Sequence, residues 1–267
     1  MPGSPPDLPT TLTKRFECLA ALIGQPRSKS GLEEVLDYSR STLDRAVRDL
    51  RDADLVVYED GVWTPTFLGR CAYHIRSEYL EKLDEMEAAS SILESLPPEG
   101  PVTCEFLDGV EAHEAPSAVP NVVINRFIDY VEGGRTVCLA TPRVILGFGE
   151  EFYDRIASSD EYTLELIVPE EIFEQFMGTS PHLVETLLND PDVELYQAAI
   201  PFSFGLWIVE HDHAGIIVFT EHGLSGLLVN DSDAALDWAD EQYRLVKREA
   251  KPIFRRGAGI SVITTGG

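Results

Sequence analysis

Between Asp37 and Arg70 the chain reads DYSRSTLDRAVRDLRDADLVVYEDGVWTPTFLGR, and the spacing of its apolar residues changes character partway through. Up to Ala53, Leu43, Val47 and Leu50 recur at i, i+4 and i+7, which places them on one face of a helix. Beyond it, two short β-prone runs, LVVY and VWTP, flank EDG, the signal of a hairpin closed by a turn containing glycine. Upstream, Phe16, Leu19, Ala20 and Ile23 also fall at helical spacing, ending at Gly24. A second short helix follows a loop over 25–29. Ser30 is placed to cap it, with Glu33 in the capping-box position and Leu32, Val35 and Leu36 as its apolar residues. Ser39 or Ser41 can cap the third helix. Three helices and then a hairpin, within about 65 residues, are expected from Leu12 onward.

That order of elements resembles a winged helix-turn-helix, in which the third helix lies in the major groove of DNA. With Leu43, Val47 and Leu50 turned toward the other two helices, the opposite side of the third carries Ser41, Arg45 and Arg48, with Thr42 alongside. Arginine can hold guanine O6 and N7 together, and Ser or Thr suits bases or phosphates. Arg40 at the helix start, and Arg27, Lys29 and Ser30 before the second helix, are positioned for phosphates. Trp63 or Thr64 in the wing is expected against the backbone or minor groove. Asp44 and Asp49 flank this face and Asp52 lies at its far end, so the face is short and concentrated near the helix N-terminus. A solvated arginine face, or a winged helix that only docks proteins, is the competing reading.

Charge bears directly on that expectation. The 267 residues carry a formal net charge of -25, with five lysines among the 21 cations. The imbalance is not uniform. Residues 1–80 hold ten Lys/Arg against twelve Asp/Glu, a balance of -2; residues 81–267 hold eleven against thirty-four, a balance of -23. A nearly balanced first part with a few placed arginines is compatible with a polyanion. An acidic, lysine-poor surface resembles that of proteins from cells holding molar salt, as in haloarchaea, where screening relieves the self-repulsion. The gain from counterion release is then small, and base contacts and shape must carry more of any DNA affinity.

The long helical pattern from Phe67 to about Leu93 is stopped by LPPEGP. From Val102 the texture changes to β-like runs alternating with helical ones. TVCLATP, TLELIVP and VELYQA read as strands, and RVILGFGEEFYDRIA, EEIFEQF and SPHLVETLLN as helices. FGLWIVEHD, AGIIVFTE and LSGLLVND read as three closely spaced strands before the capped helix SDAALDWADEQYRLVKREA. The expected class is therefore α+β in two domains, a winged helix-turn-helix and then an α/β domain with a mixed sheet of about five or six strands. Its expected divisions are a flexible arm over 1–10, the winged helix over 11–70, a linking helix over 71–97, the α/β domain over 98–253 and a tail over 254–267 that is disordered or lacks a partner.

Little points to catalysis. Cys18, Cys71, Cys104 and Cys138 are scattered, without metal-ligand spacing, and read as buried free thiols of a reducing cytoplasm. No run approaches about 18 apolar residues, so no membrane span is expected. There is no G-x-S-x-G, P-loop or strand-associated G-x-G-x-x-G. His211-Asp212-His213 could bring two imidazoles to one face of a strand, but polar residues are ordinary where two strands turn. No metal and no cofactor are expected.

Residues 122–253 are similar to the C-terminal domain of archaeal winged-helix regulators of the methanogenesis/filament type, whose middle domain recurs in haloarchaeal transcription factors. LELIVPEEIFEQF, IPFSFGLWIVEHDHAGIIVFTE and GLLVNDSDAALDWADEQYRLVKREAKPI carry the likeness, in particular Pro201-Phe202 and Gly205-Leu206 before a strand. More distantly it is similar to the phospholipase-D-like sensor domain of TrmB-type sugar regulators. The H-x-K pattern of that superfamily is missing its lysine here, so the resemblance implies a regulator and not a phospholipase. It implies a transcriptional regulator with an effector or dimerisation domain. Double-stranded DNA is the expected partner of the winged helix, paired half-sites would need a homodimer, and a small molecule or a partner is the expected effector. Ile75, Tyr79, Leu83, Met86 and Leu93 are candidates for an interface. Thr141, Arg143, Glu170, Phe202, Trp207 and Asn230, at expected strand ends, are candidates for a ligand rim. A protein-interaction adaptor with the winged helix as docking module is the alternative.

Overall fold

The computed structural model describes residues 7–116, 121–145, 147–159, 161–221, 223–256 and 259–262. The chain divides into two compact units, Met1–Leu83 and Asp84–Gly267, with the boundary inside one long helix.

The first unit holds α1 (Leu8–Ile23), α2 (Lys29–Glu33), α3 (Arg40–Asp52), the hairpin β1 (Val56–Glu59) and β2 (Val62–Pro65), and the start of α4 (Phe67–Leu93). Its core is built from Cys18, Leu19 and Leu22 of α1, Leu32 of α2, and Leu43, Ala46, Val47 and Leu50 of α3. Leu55, Val56 and Ala72 complete it. The apolar spacing read from the sequence thus becomes the buried side of α3. Ser39 caps that helix, its hydroxyl accepting from Thr42 N at 3.2 Å. The turn between β1 and β2 is Asp60-Gly61, with φ of 52° and 84°. Two successive positive φ values define a two-residue turn whose twist matches the strands, and glycine takes the second without strain.

Two local expectations are corrected. The helix over the proposed arm begins at Leu8, because Pro9 lies in the first turn, where its missing N–H leaves no bond unmade; residues 1–6 lie outside the described residues. The cap of α2 is Ser28, which accepts from Gly31 N at 3.2 Å, while Ser30 lies inside the helix with its hydroxyl 2.9 Å from that of Ser28.

Among the described residues the second unit is built on a nine-stranded mixed sheet of order β11-β10-β6-β5-β4-β7-β8-β9-β3. Its strands are β3 (Glu111–Glu114), β4 (Thr136–Ala140), β5 (Thr163–Val168), β6 (Val193–Gln197), β7 (Phe204–Val209), β8 (His213–Thr220), β9 (Gly223–Asn230), β10 (Lys251–Arg256) and β11 (Gly259–Val262). Strands β4, β5 and β6 are parallel; β7 lies antiparallel to β4 and opens the meander β7-β8-β9. The helices are α5 (Cys104–Leu107), α6 (Asn121–Val131), α7 (Gly149–Ile156), α8 (Glu170–Thr179), α9 (Pro181–Asn189) and α10 (Asp233–Glu249).

Alternation along the central strands divides the core between the two faces. Leu206, Ile208, Ile216, Val218 and Leu228 pack with Trp238, Tyr243 and Val246 of α10 and with Phe106 of α5. Trp207, Val209, Ile217, Phe219, Leu227 and Val229 pack with α6, α7 and α9 on the other face. A Cβ at Gly215 would fall 2.2 Å from the Trp207 ring, so the indole lies flat against bare backbone of the neighbouring strand.

Four readings change in this unit. The sheet has nine strands because β3, β10 and β11 join it. The supposed tail completes β10, which pairs with β6 through Lys251 to Ile253, and supplies β11, which pairs with β10, while residues 257, 258 and 263–267 lie outside the described residues. Arg143 to Ile145 is not helical, nor are Gly147 and Phe148; Leu146, within the expected helix, lies outside the described residues. Gly147 takes a φ of 90°, and Thr141 bonds both to the Arg143 carbonyl and to its N–H, turning the chain instead of winding it. Cys104 is exposed, whereas Cys18 is buried and burial pushes its thiol up to about 11. Helix α6 had no counterpart in the sequence reading.

Candidate functional site

The outer side of α3 is built by the core beneath it. With Leu43, Ala46, Val47 and Leu50 held inside, Ser41, Thr42, Arg45 and Arg48 are exposed together. Among the described residues, neither Arg45 nor Arg48 meets a carboxylate, whereas nearby cations do. Arg15 pairs with Asp49 at 2.8 Å, Lys29 with Asp44, Arg40 with Glu33 at 3.5 Å and Arg51 with Asp52 at 2.8 Å. Two guanidinium groups are therefore left to solvent on one helix face. At its start the Thr42 hydroxyl lies 2.8 Å and the Ser41 hydroxyl 3.1 Å from that of Ser39.

The other residues named for DNA have additional attachments. Arg27 Nε donates to the Ala21 carbonyl at 2.8 Å, and its backbone exchanges two hydrogen bonds with Trp63 at 2.7 and 3.2 Å. Trp63 is half-buried, its ring 4.8 Å from that of Tyr58, and it packs on the core rather than standing at the wing tip. The tip carries Glu59, Asp60 and Gly61. Tyr38 donates to Glu17 at 2.9 Å; burial and this carboxylate push its hydroxyl up to about 12.

In the second unit a cavity of about 100 Å³ opens on the sheet face covered by α6 to α9. Its wall is aromatic and aliphatic: Phe127 of α6, Phe152 of α7, Phe173 and Phe176 of α8, and Phe219 of β8 are among the lining residues. Helix α8 has no fully buried residue although Ile172, Phe173 and Phe176 are apolar, because they face this space. Their spacing within EEIFEQF was the signal in the sequence.

Thr141 and Arg143 lie on the cavity wall, immediately after β4. Strand β4 has a parallel neighbour, β5, on one side and an antiparallel one, β7, on the other. Crevices at the carboxyl ends of strands where the order reverses are common ligand positions in open α/β sheets. Thr141 N donates to the Ile167 carbonyl at 3.0 Å, and its hydroxyl donates to the Arg143 carbonyl at 2.5 Å. The turn so fixed lets Arg143 Nη1 donate to the Thr220 carbonyl at 2.6 Å, with its guanidinium carbon 5.7 Å from the centre of the Phe219 ring.

The remaining rim candidates do not gather there. Glu170 is exposed at the start of α8. Phe202 stacks on Phe204 in the opposite core, and Trp207 is fully buried against Phe127. Asn230 is buried. Its amide donates to the Phe106 and Asp108 carbonyls at 2.9 and 2.7 Å, and its oxygen accepts from Ser232 N at 2.8 Å, which ties α5 to the start of α10. The two histidines flanking Asp212 also part: His211 has a φ of 62° and a side chain 91% exposed, while the His213 side chain is 8% exposed. Among the described residues no group of three or more His, Cys, Asp or Glu side chains is placed to hold a metal ion.

No curated protein matches the chain by sequence. Among solved structures, TrmBL2, titled an archaeal chromatin protein with a novel mode of DNA binding, aligns over 90% of this chain and 96% of its own, at 10% identity and a TM-score of 0.41. NucT from Helicobacter pylori aligns over 53% of this chain and 96% of its own, at 13% identity and a TM-score of 0.43. A phospholipase D family member, Nuc from Salmonella typhimurium, aligns over 55% and 98%, at 8% identity and a TM-score of 0.41. Two family profiles divide most of the chain between them. Residues 7–90 match the HVO_A0261 N-terminal domain, and residues 120–249 match the middle domain of the methanogenesis regulatory protein FilR1. The chain thus joins an N-terminal domain of the first family to a middle domain of the second, that of a regulatory protein.

Proposed function

We propose that this chain is a cytoplasmic transcription regulator that binds operator DNA through α3 as a homodimer and responds to a small molecule held in its second unit. The observation that carries the reading is the pair Arg45 and Arg48, exposed beside Ser41 and Thr42 and without carboxylate partners, on a surface where neighbouring cations are ion-paired. Free guanidinium groups on the outer face of the third helix are what base reading in the major groove requires. The family assignment supports a regulator. Ile75, Tyr79, Leu83 and Met86 are exposed along α4 and support an interface between copies; Leu93 packs against the core of the second unit instead.

Genome-wide crosslinking of the tagged protein in native cells tests the reading. Sharp promoter peaks sharing a motif are expected. Each arginine–base contact contributes about 1–3 kcal/mol of discrimination, so the Arg45→Ala, Arg48→Ala pair should weaken operator binding by ~100-fold or more with the fold intact. Occupancy no greater than in an untagged control, with folded protein present, would move the assignment to a protein-docking adaptor.

A further inference from the structure

The cavity of the second unit has one chemical asymmetry. Its wall is apolar, while at its edge Arg143 presents a cation that meets no carboxylate among the described residues. Elsewhere in this unit Arg135 faces Glu161, Arg155 faces Asp129 and Glu132, Arg244 faces Asp240, and Lys247 faces Glu165. Arg143 is held instead by the Thr220 carbonyl and lies near the Phe219 ring. A guanidinium has five N–H donors, and one group of this guanidinium is occupied. The others are available beside the opening of a space that water fills poorly.

We infer that the cavity binds a small apolar carboxylate, with its hydrocarbon body against Phe127, Phe152, Phe173 and Phe176 and its carboxylate on Arg143. This deepens, and rests on, the small-molecule arm of the function proposed above. The size follows from the volume. A cavity of ~150 Å³ lined by aliphatic and aromatic side chains takes up benzene. One of about 100 Å³ with an open side therefore suits a body of about six carbons reaching inward from the arginine. The charge follows from the surroundings. A neutral apolar ligand would leave the Arg143 donors facing solvent, whereas a carboxylate makes charge-assisted hydrogen bonds to them. In a unit this acidic, a cation that meets no carboxylate among the described residues also selects where an organic anion can dock.

Titration calorimetry on the full chain, in concentrated KCl, with hexanoate and phenylacetate against hexanamide and phenylacetamide, tests the inference. The acids should bind at least about tenfold more tightly than the amides, the difference that a charge-assisted contact gives. Arg143→Gln should abolish that difference and leave the amides unchanged. Val144→Trp, on the half-buried loop that lines the cavity, should weaken acids and amides alike. Circular dichroism melts establish that both variants are folded. Absence of acid binding, equal binding of acid and amide, or an unaltered preference in Arg143→Gln would each overturn the inference. Operator binding by the ligand-free protein, measured in parallel, separates the two readings: DNA bound without acid binding sinks the cavity assignment alone, and acid bound without DNA sinks the operator reading alone.

Discussion

Asp54 holds a φ of 57°, in the left-handed region that an L side chain enters at a cost. It stands just past α3. Leu55 N bonds back to the Leu50 carbonyl and Asp54 N to that of Arg51, the two bonds of a Schellman ending in which glycine is the usual occupant. Its carboxylate also lies at the negative end of the helix dipole. Asp54→Gly should therefore stabilise the first unit by about 1 kcal/mol, read as a higher denaturant midpoint with an unchanged slope; an unchanged or lower midpoint would show that the side chain has an undetected partner. This ending was not legible in the sequence, because nothing in DADL signals positive φ as glycine would. Arg45 and Arg48 were legible, since the period of Leu43, Val47 and Leu50 fixes which side they occupy. The attachments of Arg27 and Lys29, to an internal carbonyl and to Asp44, were not, because no local spacing reveals those contacts.

Elements were read best where one period persisted. Helix α4 and strands β4 to β6 fell where expected, whereas Arg143, Val144 and Ile145, in a run apolar enough for a helix, are non-helical beside the cavity. Strands β10 and β11 escaped notice because glycines and two arginines interrupt their alternation, and β3 because Glu-Ala-His-Glu contains no β-former. The hairpin was plain, but its electrostatics oppose the role first expected of it. Glu59 and Asp60 put two negative charges at the tip, where a wing would approach phosphate. On the operator reading these acids hold the wing off the backbone. Glu59→Lys should then raise operator affinity several-fold, and steepen its salt dependence by about one phosphate contact. Fluorescence anisotropy across a salt series measures both. An unchanged slope would place the tip beyond reach of the duplex.

Charge separates the two units more sharply than fold class does, with -2 over residues 1–80 and -23 over 81–267. Screening reaches about 3 Å at 1 M salt and about 10 Å at 0.1 M, so self-repulsion in the acidic unit grows as salt is withdrawn. Dilution should lower the melting midpoint of the second unit and leave the first nearly unmoved, giving two resolved transitions. Fluorescence of variants retaining Trp63 alone, or Trp207 and Trp238 alone, assigns each transition; equal shifts in both would refute the division. The same screening has a consequence for the sheet margin. In concentrated salt, long-range repulsion no longer keeps neighbouring molecules apart, and exposed strand edges can zip together. Strand β3, at one margin, is four residues long and carries exposed glutamates at both ends, Glu111 and Glu114. A newcomer strand would have little ladder to pair with and two carboxylates to desolvate. At this margin the strand is short and its two carboxylates carry a desolvation cost that salt does not remove, so edge pairing there is disfavoured even in brine.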